Sequence, residues 1–181
     1  IDPSGVVTTL AGRAGTRGGS DGVGGAARFD NIYGLAVDIT GVIYVTDHNS
    51  TIRRITPSGV VTTIAGGAGQ YGTVDGLADS ARFGEWENIG GGVVFGPYGV
   101  TCDRAGNLFV KDTTTIRRIT PAGLVTTVGG RPRTKGSTDG PGKQALFQVS
   151  YDGIAVDISG NLYIADAGNG TIRKGVLDPN T

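Results

Sequence analysis

Few side chains in this sequence are suited to chemistry, and most stand alone. His48 is the single histidine and follows Asp47. An imidazole titrates near neutrality and can serve as a general base. Trp86 lies between Glu85 and Glu87, the only two glutamates. An aromatic plane with flanking carboxylates can stack on a sugar ring or a peptide side chain. Arg131-Pro-Arg-Thr-Lys135 is the one basic cluster and contributes Arg131 and Arg133. These seven residues, Asp47, His48, Glu85, Trp86, Glu87, Arg131 and Arg133, are the candidate ligand-binding set. Each also has a plainer role open to it. His48 fits a solvated turn, and Trp86 fits a cover over a sheet edge or a packing residue at a seam between chains. No residue is assigned as catalytic.

A second group of carboxylates recurs at fixed places. Asp38, Asp103 and Asp157 each precede a glycine three residues on, as expected of Asp capping its own backbone in a turn. Asp47, Asp112 and Asp166 form another set. A ring of such carboxylates suits a hard cation such as Ca²⁺. The favoured alternative pairs them with Arg53, Arg117 and Arg173, and no cofactor or metal is expected. The single Cys102 allows no intramolecular disulfide or multi-thiolate site. It aligns with Val37 and Val156 and is read as a small apolar residue rather than a nucleophile.

Sixteen basic residues balance sixteen acidic ones. With no continuous basic stripe, nucleic acid is not an expected partner. No apolar run approaches the ~18 residues of a membrane-spanning helix. The chain opens on Ile1 and holds no Met, which fits a longer precursor. Thirty-four glycines, with many Val, Ile and Thr and few strong helix formers, point to strands joined by tight turns.

The positioning elements follow from an internal repeat. Thr51-Ile-Arg-Arg-Ile-Thr-Pro-Ser-Gly-Val-Val-Thr-Thr-Ile-Ala-Gly66 returns as Thr115-Ile-Arg-Arg-Ile-Thr-Pro-Ala-Gly-Leu-Val-Thr-Thr-Val-Gly-Gly130. Gly34-Leu-Ala-Val-Asp38 with Ile43-Tyr-Val-Thr-Asp47 returns at 99–112 and 153–166. The Val-Val-Thr-Thr element restarts at residues 6, 60 and 124, giving periods of 54 and 64 residues. Each period holds four short apolar runs; in the first they are 34–39, 42–47, 51–56 and 59–65. The expected fold is all-β, a propeller of four-stranded antiparallel blades labelled a to d from the axis outward. A solenoid of packed sheets is the alternative.

Gly-Leu-Ala-Val-Asp, Ile-Tyr-Val-x-Asp and the following Ile-Arg resemble the NHL repeat, a six-bladed β-propeller family. Asp21 to Phe29, Asp75 to Phe83 and Asp139 to Phe147 share Asp-Gly-x-x-x-x-Ala-x-Phe, which resembles a longer subtype with an insert before the innermost strand. The likeness covers nearly the whole chain. Lys111 departs from Thr46 and Ala165, and Leu146 departs from Arg28 and Arg82.

The phase of the repeat suggests one domain over 1–181, with repeats at about 13–66, 67–130 and 131–181. An outermost strand at 6–11 comes first, and the last repeat ends without one. Three blades do not close a ring, and an unpaired edge is a template for another strand. A second chain is therefore expected to complete a six-bladed ring, with 6–11 latching the last blade of its partner. A fragment of a longer propeller, other ring sizes and a filament are the alternatives.

Strand alternation places the long d–a loops (13–33, 67–98 and 131–152) on the same face as the b–c loops. Long loops on a rigid scaffold commonly carry binding. The leading functional expectation is a non-catalytic scaffold that binds a protein, peptide or glycan on that face and self-associates by strand exchange. The alternatives are a metal-dependent lactonase-like or lyase-like enzyme, for which Asn88, Asp47 and Asp112 are possible ligands, and a structural extracellular assembly subunit. One histidine does not reproduce the histidine-ligated metal that the resemblance associates with lyases. The expected location is extracellular or in the cell envelope. Asn49-Ser50-Thr51 and Asn169-Gly170-Thr171 fit the N-glycosylation pattern and are expected to be exposed.

Overall fold

The computed structural model describes residues 4–87, 93–150 and 153–177, with backbone alone at 86, 87 and 93–95. The first sheet contains β1 (Gly22–Val23), β2 (Ile32–Val37), β3 (Ile43–Asp47), β4 (Thr51–Ile55) and β5 (Val60–Gly66). Next come β6 (Gly76–Leu77), the hairpin strands β7 (Glu85–Glu87) and β8 (Val93–Phe95), then β9 (Pro97–Cys102), β10 (Leu108–Asp112), β11 (Thr115–Ile119) and β12 (Leu124–Gly130). Last come β13 (Ile154–Val156), β14 (Asn161–Asp166) and β15 (Thr171–Val176). The sheet orders are β1-β5-β4-β3-β2, β6-β12-β11-β10-β9 and β13-β14-β15, with β7-β8 as a separate pair. All of this pairing is antiparallel.

The turns form as their residue types require. Asp38 Oδ1 accepts from the Thr40 and Val42 N–H groups at 2.8 and 3.0 Å, and Asp157 repeats this with Ser159 and Asn161. These bonds to the ionised form lower both carboxyl pKa values, with Thr40 Oγ and Asn161 Nδ2 the largest contributors.

The third and fourth strands of a repeat share a bulge between Ile52 and Arg53, repeated between Ile116 and Arg117. The first two sheets hold five strands where the sequence pattern suggested four. The extra strand is the Asp-Gly element, which pairs on the outer edge of the fourth long strand. A two-residue strand has no apolar period by which to be recognised.

Successive sheets pack face to face with their first strands converging, β2 and β13 both lying against β9. One core between the first two sheets gathers Ile52, Ala65, Phe83, Val100 and Val110. A second joins Phe109, Ile116, Phe147, Leu162 and Ile164. Phe83 and Phe147 thus plug successive seams. Gly34 sits at the tightest approach, where a Cβ would come within 2.3 Å of the Tyr98 carbonyl oxygen. Thr46 Oγ1 bridges the same seam, donating to Tyr98 O at 2.6 Å. At the next seam the longer Lys111 does this work, its Nζ donating to Gln148 O at 3.2 Å and to Thr113 O. That accounts for the departure of Lys111 from Thr46.

Residues 6–11 belong to no strand of this chain. Their end, Leu10 to Gly12, nevertheless packs on the first sheet, where Ala11 meets the core of Val45, Ile55 and Val61.

Candidate functional site

Each repeat builds a buried clamp around one arginine. Arg53, on β4, donates Nη1 to Asp47 Oδ2 at 3.1 Å and Nη2 to Asp21 Oδ1 at 2.7 Å, and also reaches the Arg28 and Ser20 carbonyls. Its guanidinium lies 5.1 Å from the Phe29 ring centre. Arg117 repeats this with Asp112, Asp75, the Arg82 and Val74 carbonyls, and Phe83. Arg173 does so with Asp166, Asp139, the Leu146 and Thr138 carbonyls, and Phe147. The planar fork of arginine meets two carboxylates and two carbonyls at once, which lysine cannot do.

The second carboxylate also reaches outward. Asp21 accepts from Thr63 N and Oγ1, both at 3.0 Å, tying the insert to β5. Asp75 does the same with Thr127 on β12.

The clamps settle the roles of Asp47, Asp112 and Asp166, each of which faces an arginine. Among the described residues, no three His, Cys, Asp or Glu side chains gather as a metal group. Burial pushes the Asp112 carboxyl up to about 6 despite Arg117. Asp47 is raised in the same direction and for the same leading reason.

Two members of the candidate set are buried. Asp47 is fully buried on Arg53 and also accepts from Asp30 N–H at 3.0 Å. Glu85 is 1% exposed, and its Oε1 accepts from Arg133 N–H at 2.9 Å. That bond braces a turn where Arg133 takes the left-handed φ of 58°. The Arg131 and Arg133 side chains remain exposed beside it. Trp86 and Glu87 lie in β7, with side chains outside the described residues, as is Asn88. The β7–β8 hairpin connects these places. Glu85 holds the 131–134 turn at one end, and Gly96, just past β8, abuts the His48 ring.

His48 packs beside Asp30 and Tyr33. Its Nδ1 lies 3.8 Å from Asp30 Oδ2, and its ring meets Tyr33 edge-on at 5.4 Å. Tyr33 in turn packs edge-on against Tyr98 at 5.4 Å. Arg17 approaches Asp30 at 3.5 Å. Unlike groups thus converge at Asp30, Tyr33, His48 and Tyr98, beside a cavity of about 230 Å³ between the first strands of the three sheets. Asp30 and Tyr33 were missed from sequence. The available signal was that Asp30 breaks the repeat, its counterparts being Gly84 and Gln148.

The b–c and d–a loops do share one face. Thr114 Oγ1 donates to Arg131 O, Gly69 N–H to Asn49 O, and Asn169 Nδ2 to Gly136 O. This covering corrects the exposure expected for the glycosylation patterns. Asn49, Ser50 and Thr51 are buried, with Thr51 Oγ1 donating to Asn49 Oδ1. Asn169 is half-buried, and its Nδ2 also donates to Asp166. Cys102 is half-buried with Sγ 3.4 Å from Val37 O, and burial raises its thiol pKa. No described helix is long and apolar enough to cross a membrane.

The fold is similar to that of several solved Bacteroides proteins. A protein of unknown function from Bacteroides thetaiotaomicron matches with a TM-score of 0.65 and 30% identity, over 77% of this chain and 34% of its own. An auxiliary nutrient binding protein from the same organism matches at 0.59 and 26%, over 77% and 36%. One from Bacteroides ovatus matches at 0.57 and 21%, over 82% and 48%. The chain spans about a third to a half of the length of these proteins. No protein-family model and no curated protein matches it. Convergent antiparallel sheets together with these likenesses define an all-β fold of the propeller type.

Proposed function

We propose that the chain is a non-catalytic propeller scaffold of the NHL type. It binds a protein, peptide or glycan on the face of its long loops and self-associates by strand exchange. It carries three blades, and a second chain completes a six-bladed ring. One observation carries the binding reading. The repeated carboxylates and arginines are taken up in the clamps, and among the described residues chemically unlike groups meet where the repeat breaks, around Asp30, Tyr33 and His48.

Tyr33 is 41% exposed and offers a stacking plane beside a carboxylate and an imidazole. That combination suits a sugar or a peptide carrying polar groups. The nutrient binding name of the Bacteroides thetaiotaomicron neighbour supports a binding role and a place outside the cell or in its envelope.

The reading is tested by glycan and peptide arrays read against Tyr33→Ala. Binding lost in the variant supports it. Turnover of lactones or esters in a screen with added divalent metals would favour the enzyme reading instead. Long fibres in native material with no ligand would favour the structural subunit.

A further inference from the structure

The third sheet lacks what the first two have. β4 pairs with β3 and β5, and β11 pairs with β10 and β12, whereas β15 pairs among the described residues only with β14. A groove of about 580 Å³ runs beside it, walled by Ile116, Val128, Phe147, Leu162 and Ile172. Ile172 is 75% exposed there, while its counterparts Ile52 and Ile116 lie in the cores between successive sheets at 0% and 2%, Ile52 with Ala65 of β5 beside it. Asp139 has kept its Arg173 bond, yet its side chain is 92% exposed, against 47% for Asp21 and 41% for Asp75. The difference is the missing threonine partner.

The same chain carries an unused copy of the missing strand. Val6-Val-Thr-Thr-Leu-Ala11 matches Val60-Val-Thr-Thr-Ile-Ala65 and Leu124-Val-Thr-Thr-Val-Gly129. It is held where the fourth strand of a preceding sheet would lie. A Cβ on Gly12 would meet the Phe29 ring at 3.2 Å, as one on Gly66 meets Phe83 and one on Gly130 meets Phe147, each at 3.1 Å. A Cβ on Gly24 would lie 3.8 Å from Leu10 O, as one on Gly142 would lie 3.9 Å from Val128 O. Val6 and Val7 are exposed. The segment is therefore docked on the sheet that follows it, and Val7 to Ala11 lie in no ladder with a described strand.

We infer that the β15 groove takes residues 6–11 of a second copy of this chain, and that Asp139 selects that strand by accepting from Thr9. This rests on the self-associating reading above and names its strand and its lock. The observed ladders transfer directly. Thr51↔Gly66, Ile52↔Ala65 and Arg53↔Thr63 become Thr171↔Gly12, Ile172↔Ala11 and Arg173↔Thr9. Gly22↔Val61 and Val23↔Val60 become Gly140↔Val7 and Pro141↔Val6. Gly140 already holds the φ of 156° seen at Gly22, and proline suits the outermost edge because it closes the ladder there. Asp139 then takes the Thr9 N–H and Oγ as Asp21 takes those of Thr63. The contact is head-to-tail, so the exposed Leu35 face of the first sheet comes against the exposed face of the third.

The test is light scattering on the full chain over a range of concentrations, with Thr9→Pro and Asp139→Ala alongside. Thr9 is in no ladder among the described residues, and circular dichroism checks that each variant stays folded. The expected result is a mass near twice the 18.4 kDa of one chain. Thr9→Pro, and separately an excess of a synthetic Ser4–Gly12 peptide, should return it to a single chain. Asp139→Ala should weaken association about tenfold to a hundredfold, as for loss of charge-assisted hydrogen bonds. A parent chain that is monomeric throughout overturns both this assignment and the self-associating reading. Association that survives Thr9→Pro and the peptide overturns the strand assignment alone.

Discussion

The second and third repeats contain the same clamp in two states of completion. Around Arg117, Asp112 is sealed below the guanidinium and Asp75 is tied both to the arginine and to Thr127 of the outer strand. Around Arg173 the inner half is the same, but Asp139, still bonded to Arg173, is 92% exposed and holds no described strand. The inner ion pair therefore does not need the outer strand. The outer carboxylate has a separate task, which is to fix the register of the fourth strand. An ion pair buried with its hydrogen bonds satisfied is costly to break from one side, whereas an exposed pair contributes little.

The largest effect should come from removing the arginines in turn, under dilute conditions where the chains are single. Arg117→Ala strands Asp112 in the interior and should cost about 3 to 5 kcal/mol in chemical denaturation. Arg173→Ala opens onto solvent and should cost distinctly less. Equal losses would erase the distinction between a completed clamp and an open one.

The next effect concerns the seams. Gly34→Ala drives a Cβ into the Tyr98 carbonyl and should cost about 1 to 3 kcal/mol. Gly153 is its counterpart, and a Cβ there meets nothing within 4 Å. Gly153→Ala should leave the dilute chain as stable as before and yet hinder association, because the partner's first sheet would bring its own carbonyl there. Thermal melts at low concentration and light scattering at high concentration read the two halves of this prediction. A destabilised dilute chain would mean that this face is already filled.

The smallest effect is in titration. Asp112 should titrate near pH 6 by carboxyl carbon NMR, while Asp38 and Asp157 should titrate below 3.8. The signs for stability are opposite. The folded pKa of Asp112 lies above its unfolded value, so folding takes up a proton, and its contribution declines as pH rises from about 4 to 6. The turn carboxylates contribute above pH 4, and their contribution is lost as pH falls through their lowered folded values. A denaturation series on Asp112→Asn should have a shallower pH 4 to 6 slope, with the share from the raised Asp47 remaining, and keep the acid one.

The long strands and their Asp turns were legible because alternation and turn chemistry are local. The Asp–Arg pairing was legible as one of two options, since Arg53 and Asp47 lie on adjacent strands, Arg53 two residues beyond the Thr51 that pairs with Asp47. The Asp-Gly strand was not, because two residues carry no period and its partner lies some forty positions away in the chain. The β7–β8 hairpin was read as loop, although Val93-Val94-Phe95 is a strand-forming run. His48 follows Asp47 in sequence, but adjacency does not establish a contact, and its approach to Asp30 was not legible because the two lie in different loops. Glu85 looked available as an acid beside an aromatic, and only the fold shows it closing the Arg133 turn.

The central claim is that residues 6–11 are the missing outer strand of another copy's third sheet. The most direct measurement is hydrogen exchange of the Thr9 amide at high and low chain concentration. The account predicts fast exchange when the chain is dilute, and strong protection of Thr9 together with the β15 amides when it is concentrated. Fast exchange of Thr9 at both concentrations would contradict it.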